Sequence, residues 1–587
     1  LGSVYGLEQL PAGMVDRIEV IRGGGSALFG ANAIAGVVNI ISKEPNRNSL
    51  NVSNSSAFTQ QGTYDINTSM NASVVAENQK AGIFLFRVQR NREQYDRDKD
   101  GYSDIPYLNS TTVGFRSYFK TSDYSKITAE YHHTSEFRRG GFGIDSLQPH
   151  ESPLTEQLKH NIDAATMKWD MYTADSKHFV SAYTSFQHIG RDSYFGTNMN
   201  PNAYGKSTDI VSVTGAQYRF SYPCGITNAD LSAGAEYSYN QLRDQILGYN
   251  RNTLQQVHLG GGYVQNEWKT TAWSALIGGR LEQHSLLEKP VFSPRANVRW
   301  SPIVNGKSTI TDNPLPLSDL IVRLSYASGY RAPQAYNEDL HIDVLNHSVS
   351  IIEIDPNLRP EFSHSLSASL DYYRNFGKLQ TNLLVEGFYT ILDDVFTLVN
   401  TREETDSEGN NFIYKRRQNA SGAHIGGITA ELKLGIPDIF DVQLGYTFQK
   451  SKYVEPEQWS EDVEAQRRMF RSPDHYGYFI ATYKPIKALS CILSGTYTGS
   501  MIVPHEYVPD YWLTPSTVET PDFFDLGIKF AYDFKVYKSV TLQLNAGVQN
   551  IFNAYQRDFD QGADRDAGYM YGPELPRSYF AGLKISY

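Results

Sequence analysis

The sequence of 587 residues predicts an all-β fold: an antiparallel transmembrane β-barrel of about 22 strands that follows a small α+β segment. From about Ser49 onward, apolar and polar residues alternate with a period of two, which places one set of side chains on each face of a sheet. The stretch from Ser539 to Phe552 alternates for about fourteen residues, longer than an ordinary strand and enough to cross a bilayer. Strand, turn and loop then repeat over about 540 residues, which leaves room for roughly 22 strands.

The composition of the two faces favours a membrane barrel over a soluble sandwich. In the stretches 366–373, 442–449 and 540–549, the polar set is mostly Ser, Thr, Asn, Gln and Gly, which suits a hydrated lumen. Aromatic residues recur at strand ends, as expected for a girdle at a bilayer interface; examples are Tyr372, Tyr373, Phe388, Tyr389, Tyr476, Tyr478 and Phe479. The chain ends in an alternating stretch, 578–587, whose terminal aromatic resembles the insertion signal of bacterial outer-membrane barrels.

Composition also excludes several other classes of protein. No run approaches the roughly 18 apolar residues of a transmembrane helix, and the mean hydropathy is -0.43. The net charge of -11 argues against nucleic acid as a partner. With only Cys224 and Cys491, the chain has neither a disulfide scaffold nor a cysteine-based zinc site.

The least strand-like part of the chain is the stretch from Leu10 to Lys43. Glycines 23 to 25 interrupt it between a charged strand and the β-branched run 37–41, and they predict a tight turn in a compact α+β unit. A phosphate-binding loop is not expected there, because no Gly-Lys-Ser/Thr follows and the segment fits no dinucleotide fingerprint.

The segment VDRIEVIRGGGSALFGANAIAGVVNIISK, residues 15–43, resembles the C-terminal half of the plug domain of TonB-dependent outer-membrane transporters. Two further pairs of motifs resemble the barrels of that family. They are GYRAP (329–333) with DPNLRPE (355–361), and NIFN (550–553) with PRSY (576–579).

This resemblance implies a plug end at residues 1–46 and a barrel at residues 47–587, with the early plug and TonB-binding box expected before Leu1. It implies active uptake across a Gram-negative outer membrane, amid outer-membrane lipids and with the TonB-ExbB-ExbD complex as partner. Gly23, Gly24, Gly25 and Arg22 are expected to fix the plug. Arg17, Glu19 and Arg22 are expected to pair with charges on the barrel wall.

A calcium loop is expected in the sequence YDRDKDGYSD. Asp96, Asp98, Asp100 and Asp104 occupy positions 1, 3, 5 and 9 around Gly101 at position 6, as in a calcium-binding loop. The bidentate glutamate of position 12 is absent, so the alternative is a solvated acidic loop.

Two aromatic and amide-rich loops are candidates for ligand binding, since they offer large apolar faces and hydrogen bonds. The candidate residues are Tyr194, Phe195, Asn198, His505 and Tyr507. The family resemblance adds His341 and His347, which lie between the two middle motifs where haem receptors carry an iron ligand.

For the substrate, the calcium-like loop favours cobalamin or another corrinoid, with haem or a ferric siderophore as the alternative. A surface lipoprotein partner is compatible with the long aromatic loops. A passive porin or an adhesin is the alternative of a different class, and the plug motif argues against a porin. No catalytic triad, glycosidase pair or P-loop is present, so an enzyme is not expected.

Overall fold

A computed structural model describes residues 9–22, 30, 34, 36–304, 307–308, 318–336, 344–345, 348–406, 411–506, 515–563, 565–566 and 568–587. Within these residues, no helix is long and apolar enough to cross a membrane. Short 3-10 helices cover Ala12–Met14, Pro149–Glu151 and Leu247–Tyr249. The strands, in chain order, are β1 (Val15–Arg22), β2 (Gly36–Ser42), β3 (Ser49–Thr59), β4 (Tyr64–Val75), β5 (Ala81–Arg92), β6 (Tyr107–Ser122), β7 (Ser125–Gly141), β8 (Leu154–Tyr172), β9 (His178–Thr197), β10 (Tyr204–Cys224), β11 (Thr227–Ile246), β12 (Arg251–Lys269), β13 (Trp273–His284), β14 (Val291–Val304), β15 (Lys307–Ser308), β16 (Ser318–Arg331), β17 (Val344–Leu345), β18 (Ser348–Ile354), β19 (Glu361–Phe376), β20 (Leu379–Asp393), β21 (Phe396–Thr405), β22 (Asn411–Asn419), β23 (Gly422–Ile436), β24 (Phe440–Glu457), β25 (Gln466–Arg468), β26 (His475–Ile486), β27 (Leu489–Thr498), β28 (Ile502–His505), β29 (Ser516–Glu519), β30 (Phe523–Tyr537), β31 (Val540–Gln549) and β32 (Ser578–Ser586).

The described strands form a closed antiparallel barrel. Each wall strand pairs with the next wall strand along the chain, and β3 pairs with both β4 and β32, which closes the sheet without an edge. The 22 wall strands are β3 to β14, β16, β19, β20, β23, β24, β26, β27 and β30 to β32. The predicted all-β fold and strand number are therefore confirmed.

Burial in this barrel is the reverse of that in a soluble protein. Met167 and Ile277 are 52% and 61% exposed on the outer face, whereas Arg280 and Glu282 on the inner face are 2% and 1% exposed. An apolar outer face and a polar interior are what a bilayer requires. Four predicted girdle residues are exceptions and face the lumen. Tyr373 bonds the buried Asp371, Phe388 lies on the same strand face as Glu386 and Thr390, and Tyr476 and Tyr478 lie opposite Thr447 and Gly445. For Tyr476 the reason is register: Phe448 on the outer face pairs with His475, so the next residue points inward.

The two ends of the barrel differ in the length of their connections. Short turns such as 76–80, 123–124 and 377–378 lie at one end, and long connections such as 93–106, 499–522 and 550–577 lie at the other. Outer-membrane barrels have short periplasmic turns and long extracellular loops, so the second end is the extracellular one.

The N-terminal segment forms an antiparallel hairpin, β1 with β2, and is attached to the inner wall of the barrel. Met14, at the end of a 3-10 helix, is buried against Phe84 and Phe86 of β5. Lys43 donates a hydrogen bond to the carbonyl of Gly13 at 2.9 Å. The expected glycine turn, Gly23 to Gly25, and any helix after it fall outside the described residues.

Ion pairs attach this hairpin to the wall, but not those expected from the sequence. Arg17 pairs with Asp16 and Glu19 within its own hairpin at 3.2 and 2.8 Å, so the prediction that Arg17 and Glu19 pair with the wall is wrong. Arg17 and Glu19 lie two residues apart on one strand face, close enough to pair with each other. The side chain of Arg22 lies outside the described residues.

The plug-to-wall contacts come instead from the end of β2 and the residues after it. Lys126 binds Glu44 at 2.9 Å, and Ser42 donates to Glu130 at 2.8 Å. Arg116 also pairs with Glu130, at 3.1 Å, and donates to Ser42. The hairpin is therefore fixed to β6 and β7 by a charged cluster at their periplasmic half.

A second, small sheet lies at the extracellular end. It has the strand order β17, β18, β22, β21, with β18 and β22 parallel. Its buried residues Val349, Ile351 and Phe412 pack against Tyr194 and Phe195 at the end of β9. This sheet therefore rests on the rim formed by β8 to β11.

Candidate ligand site at the extracellular mouth

A cavity of about 450 Å³ lies at the extracellular mouth. It opens between the β5–β6 connection, the upper ends of β7 and β8, and the β31–β32 connection. Its volume falls within the range of about 300–1,000 Å³ typical of small-molecule sites. The lining combines arginines with aromatic rings: Arg97, Arg138, Arg139, Arg565, Tyr102, Phe559, Tyr569 and Tyr571.

Two of these arginines are bound to main-chain carbonyls. Arg97 donates to the carbonyl of Glu574 at 3.3 Å, and Arg139 donates to that of Leu147 at 2.7 Å. The Nε atoms of both are buried without a hydrogen-bond partner in the described part of the chain. Since a guanidinium stays charged, Arg97 and Arg139 place two positive charges in the cavity lining, each with an unused, buried Nε–H.

Aromatic rings hold the Arg97 guanidinium in place. Its central carbon lies 4.8 Å from the ring centre of Tyr555 and 5.0 Å from that of Phe559. A cation over the face of an aromatic ring is attracted to it. Both rings belong to the β31–β32 connection. That connection therefore positions the guanidinium of Arg97, which lies in the β5–β6 connection.

The aromatic wall of the cavity is built on a shared carboxylate, that of Asp558. Tyr569 donates to Asp558 at 2.7 Å, and Tyr571 donates to the other oxygen of Asp558. Burial raises the pKa of both tyrosines, and the bonds to Asp558 raise it further. For Asp558, burial favours the neutral form, but the two hydroxyl bonds together lower its pKa. Tyr569 and Tyr571 thus remain neutral hydroxyls that are both bonded to the Asp558 carboxylate.

The acidic loop 96–104 forms the side of the cavity. One carboxylate oxygen from each of Asp96, Asp98 and Asp104 lies within 4.8 Å of the others. Asp100 instead pairs with Arg565 at 2.8 Å, and Arg565 also reaches Asp104 at 3.4 Å. Three of the four carboxylates predicted for calcium are therefore gathered together, while Asp100 ties the loop to the β31–β32 connection.

Burial and repulsion affect the carboxylates of this loop. Burial, then the charge of Asp100, raises the pKa of Asp98, and burial raises that of Asp104. One oxygen of Asp98 is buried and accepts no hydrogen bond from the described residues. Oxygen ligands so arranged suit a hard cation such as calcium.

At the inner end of the cavity, one network reaches the plug. Arg138 lines the cavity and donates from Nε to Glu136 at 2.9 Å. The same carboxylate oxygen accepts a bond from Gln9 of the plug at 3.1 Å and lies 3.7 Å from Nδ1 of His160. Arg138, Glu136 and His160 are all buried. Arg138 of the cavity and Gln9 of the plug therefore share a single carboxylate, that of Glu136.

The other ligand-binding candidates have different positions from those expected. Tyr194 and Phe195 are fully buried beneath the extracellular sheet, so their predicted contact with a ligand is not possible in this structure. His505 is bound to Asp560 at 3.0 Å and stacked on Tyr569 at 3.6 Å between ring centres, so its ring supports the cavity wall. Asn198 is exposed in a turn at φ 54°.

Some expected residues cannot be placed. His341, His347 and Tyr507 lie outside the described residues. The cavity arginines, by contrast, were missed because they are far apart in sequence and no local pattern distinguishes them from ordinary loop arginines.

Comparison with protein families agrees with this architecture. A family described as TonB-dependent receptor-like β-barrel matches residues 41–551, and the TonB-dependent receptor plug domain matches residues 2–37. The chain belongs to the TonB-dependent receptors. It is therefore an outer-membrane protein, and its family and fold are those of receptors and transporters rather than of enzymes. Receptors of this family bind small-molecule nutrients and work with TonB-ExbB-ExbD.

Three proteins resemble this receptor at low sequence identity. The iron-regulated outer membrane virulence protein of Vibrio cholerae is 24% identical over 98% of this chain and 80% of its own length. The structure of the ferric enterobactin receptor PfeA from Pseudomonas aeruginosa superimposes with a TM-score of 0.74 and 15% identity, over 99% of this chain and 87% of that one. The siderophore receptor PirA from Acinetobacter baumannii gives 0.72 and 16%, over 99% and 86%. At these identities the solved structures show the shared fold.

Proposed function

We propose that this receptor imports an anionic ferric siderophore across the outer membrane. The observation that carries the proposal is the extracellular cavity, where the positively charged guanidinium groups of Arg97 and Arg139 lie beside aromatic rings and their hydrogen-bonding capacity is not fully used. Ferric siderophores with catecholate groups are anionic and carry flat aromatic rings. Arginine forks bind anionic oxygens, and both arginine and aromatic side chains stack on such rings.

The comparisons support the same choice. The superimposable PfeA and PirA are named as a ferric enterobactin receptor and a siderophore receptor, and the Vibrio relative is named for its regulation by iron. This favours the siderophore alternative over the cobalamin first expected from the acidic loop. Haem remains an alternative only through His341 and His347, which the structure does not describe.

A ligand panel tests this function directly. We expect purified protein, followed by quenching of its tryptophan fluorescence, to bind a ferric tris-catecholate more tightly than haemin or cyanocobalamin. Tightest binding of a neutral ferric hydroxamate would agree with a role in iron uptake but contradict the role of the arginines. Tightest binding of cyanocobalamin or haemin would overturn the proposal.

We also propose that Asp96, Asp98 and Asp104 bind calcium and so order the wall of the cavity. The proposal rests on their gathered carboxylates and the unpartnered oxygen of Asp98. Because the pKa values of Asp98 and Asp104 are raised, these groups become charged only as the pH rises through them, and the mutual repulsion then destabilises the loop. Calcium is expected to relieve that repulsion.

Thermal unfolding with calcium or a chelator tests the calcium site. We expect calcium to raise Tm at neutral pH, with a smaller effect at mildly acid pH, where protons compete for the carboxylates. Asp98→Asn is expected to abolish the increase, while Asp123→Asn, in an exposed periplasmic turn, is expected to keep it. An equal Tm with calcium and with chelator at neutral pH would show that the loop is only a solvated acidic turn.

A further inference from the structure

Four histidines on the outer face of the barrel each lie against a tyrosine of the neighbouring strand. In three pairs, Nδ1 and the tyrosine hydroxyl are in hydrogen-bond contact at 2.7 to 2.9 Å, and in the fourth the rings stack with centres 5.9 Å apart. We call this set the histidine–tyrosine belt: His258 with Tyr237, His364 with Tyr326, His475 with Tyr446, and the stacked His424 with Tyr389.

The four pairs share one geometry. Each tyrosine is paired in register with a residue on the strand of its histidine. That residue lies two positions nearer the periplasmic end than the histidine, so the tyrosine and the histidine form a diagonal cross-strand pair. The opposite residues are Gly260, Leu366, Gly426 and Gly477. A Cβ at Gly426 would lie 2.9 Å from the Tyr389 ring, and one at Gly477 would lie 3.1 Å from the Tyr446 ring. In these two pairs, glycine thus leaves space for the tyrosine to lean toward the histidine.

The histidines point away from the lumen. Leu254 and Val264, on the same face of β12 as His258, are 64% and 54% exposed. Ile428, on the same face of β23 as His424, is 55% exposed, and His475 pairs directly with the exposed Phe448. Side chains of one parity share one face of a strand, so the belt faces the surroundings of the barrel.

The belt also lies at one height. Counted from the periplasmic ends of β12, β19, β23 and β26, the four histidines are the twelfth or thirteenth residue of their strands. A tilted strand crosses the hydrocarbon core in about 9–11 residues. For strands that enter the hydrocarbon core near their periplasmic ends, a twelfth or thirteenth residue is expected at the outer edge of the apolar band, near the headgroups of the outer leaflet.

Their hydrogen bonding leaves one donor for those headgroups. An imidazole that accepts the tyrosine proton at Nδ1 carries its own proton on Nε2. For His258, His364 and His475, the protein bond is to Nδ1, and Nε2 has no partner among the described residues. Lys452, opposite His424 on the same face, and Lys450 add positive charge at this level, although Lys450 also binds Asp474 at 2.9 Å.

We propose that the histidine–tyrosine belt binds the phosphate groups of a glycolipid in the outer leaflet. Tyrosine fixes the imidazoles of His258, His364 and His475 so that their Nε2–H groups donate to phosphate oxygens. Ring stacking holds His424, and the lysines of β24 contribute charge. This contact anchors the barrel at a set height in the membrane. It is separate from the extracellular cavity and does not depend on the identity of the transported ligand.

The first test compares lipids on the unaltered protein. The receptor is reconstituted in phosphatidylcholine nanodiscs that contain either bisphosphorylated lipid A or its dephosphorylated form, and the retained lipid is counted by native mass spectrometry. We expect retention of the phosphorylated form only. Equal retention of both forms, or of neither, would overturn the proposal.

The second test uses variants at the same level. Changing His258, His364, His424 and His475 together to phenylalanine keeps ring size but removes the donors, and we expect about fivefold weaker retention for each hydrogen bond lost. Changing all four to glutamine, which keeps a donor, is expected to restore most of the retention. His178→Phe is the matched control, because His178 contacts Tyr218 at 2.6 Å at the periplasmic end of β9. Unchanged retention in the phenylalanine variant, or equal loss in the control, would contradict the proposal.

Discussion

Replacing Arg97 and Arg139 together by glutamine is expected to weaken binding of a ferric tris-catecholate about a hundredfold or more. Each guanidinium makes charge-assisted hydrogen bonds worth about 1.5–3 kcal/mol, and two such groups together account for the loss. Arg139→Lys is expected to recover only part of the affinity, because lysine keeps the charge but not the planar fork. Equilibrium fluorescence quenching measures each affinity.

Arg359→Gln is the matched control for this double variant. Arg359 is an exposed extracellular arginine paired with Asp394, and it does not line the cavity. Its loss should leave the affinity unchanged. If the control weakened binding as much as the double variant, general surface charge rather than the cavity would attract the ligand.

Glu136→Gln is expected to lower the free energy of unfolding by about 3–5 kcal/mol, because it leaves the Arg138 guanidinium buried without this carboxylate. Gln9 of the plug loses an ionised acceptor at the same time. We therefore expect transport to fall more than ligand binding does. Denaturant unfolding in micelles, ligand binding, and uptake of radioactive iron by cells measure the three quantities.

Asp394→Asn serves as the control for Glu136→Gln. Its partner Arg359 is exposed, and exposed ion pairs contribute little to stability. The unfolding free energy of this variant should be nearly unchanged. A Glu136→Gln protein with normal stability and normal transport would show that the network between Arg138 and Gln9 does not hold the plug.

The barrel could be predicted from the sequence alone because the residue pattern that specifies it is local. Alternation with a period of two is required along every strand that has lipid on one side and a polar lumen on the other, and the short turns between strands are visible as breaks in that alternation. The plug motif, residues 15–43, was likewise continuous and could be recognised without a structure.

The prediction of site residues was less successful, for a physical reason. Tyr194 and Phe195 have the composition of a ligand-contacting loop, but they pack under strands β18 and β22, more than a hundred residues away along the chain. Arg17 and Glu19 were expected to reach the wall, yet they bind each other. Composition shows which groups are available, whereas long-range packing decides whether they are exposed or buried.

By itself, the sequence determined the fold class, the number of strands, the family and the place of the protein in the outer membrane, since each follows from short-range periodicity or a continuous motif. Only the tertiary structure brought Arg97 and Arg139 to one cavity, joined Gln9 to Glu136, and set four histidines at one height. These groups come from distant strands and loops. Their proximity in space depends on the register and closure of the barrel, which no local stretch of sequence encodes.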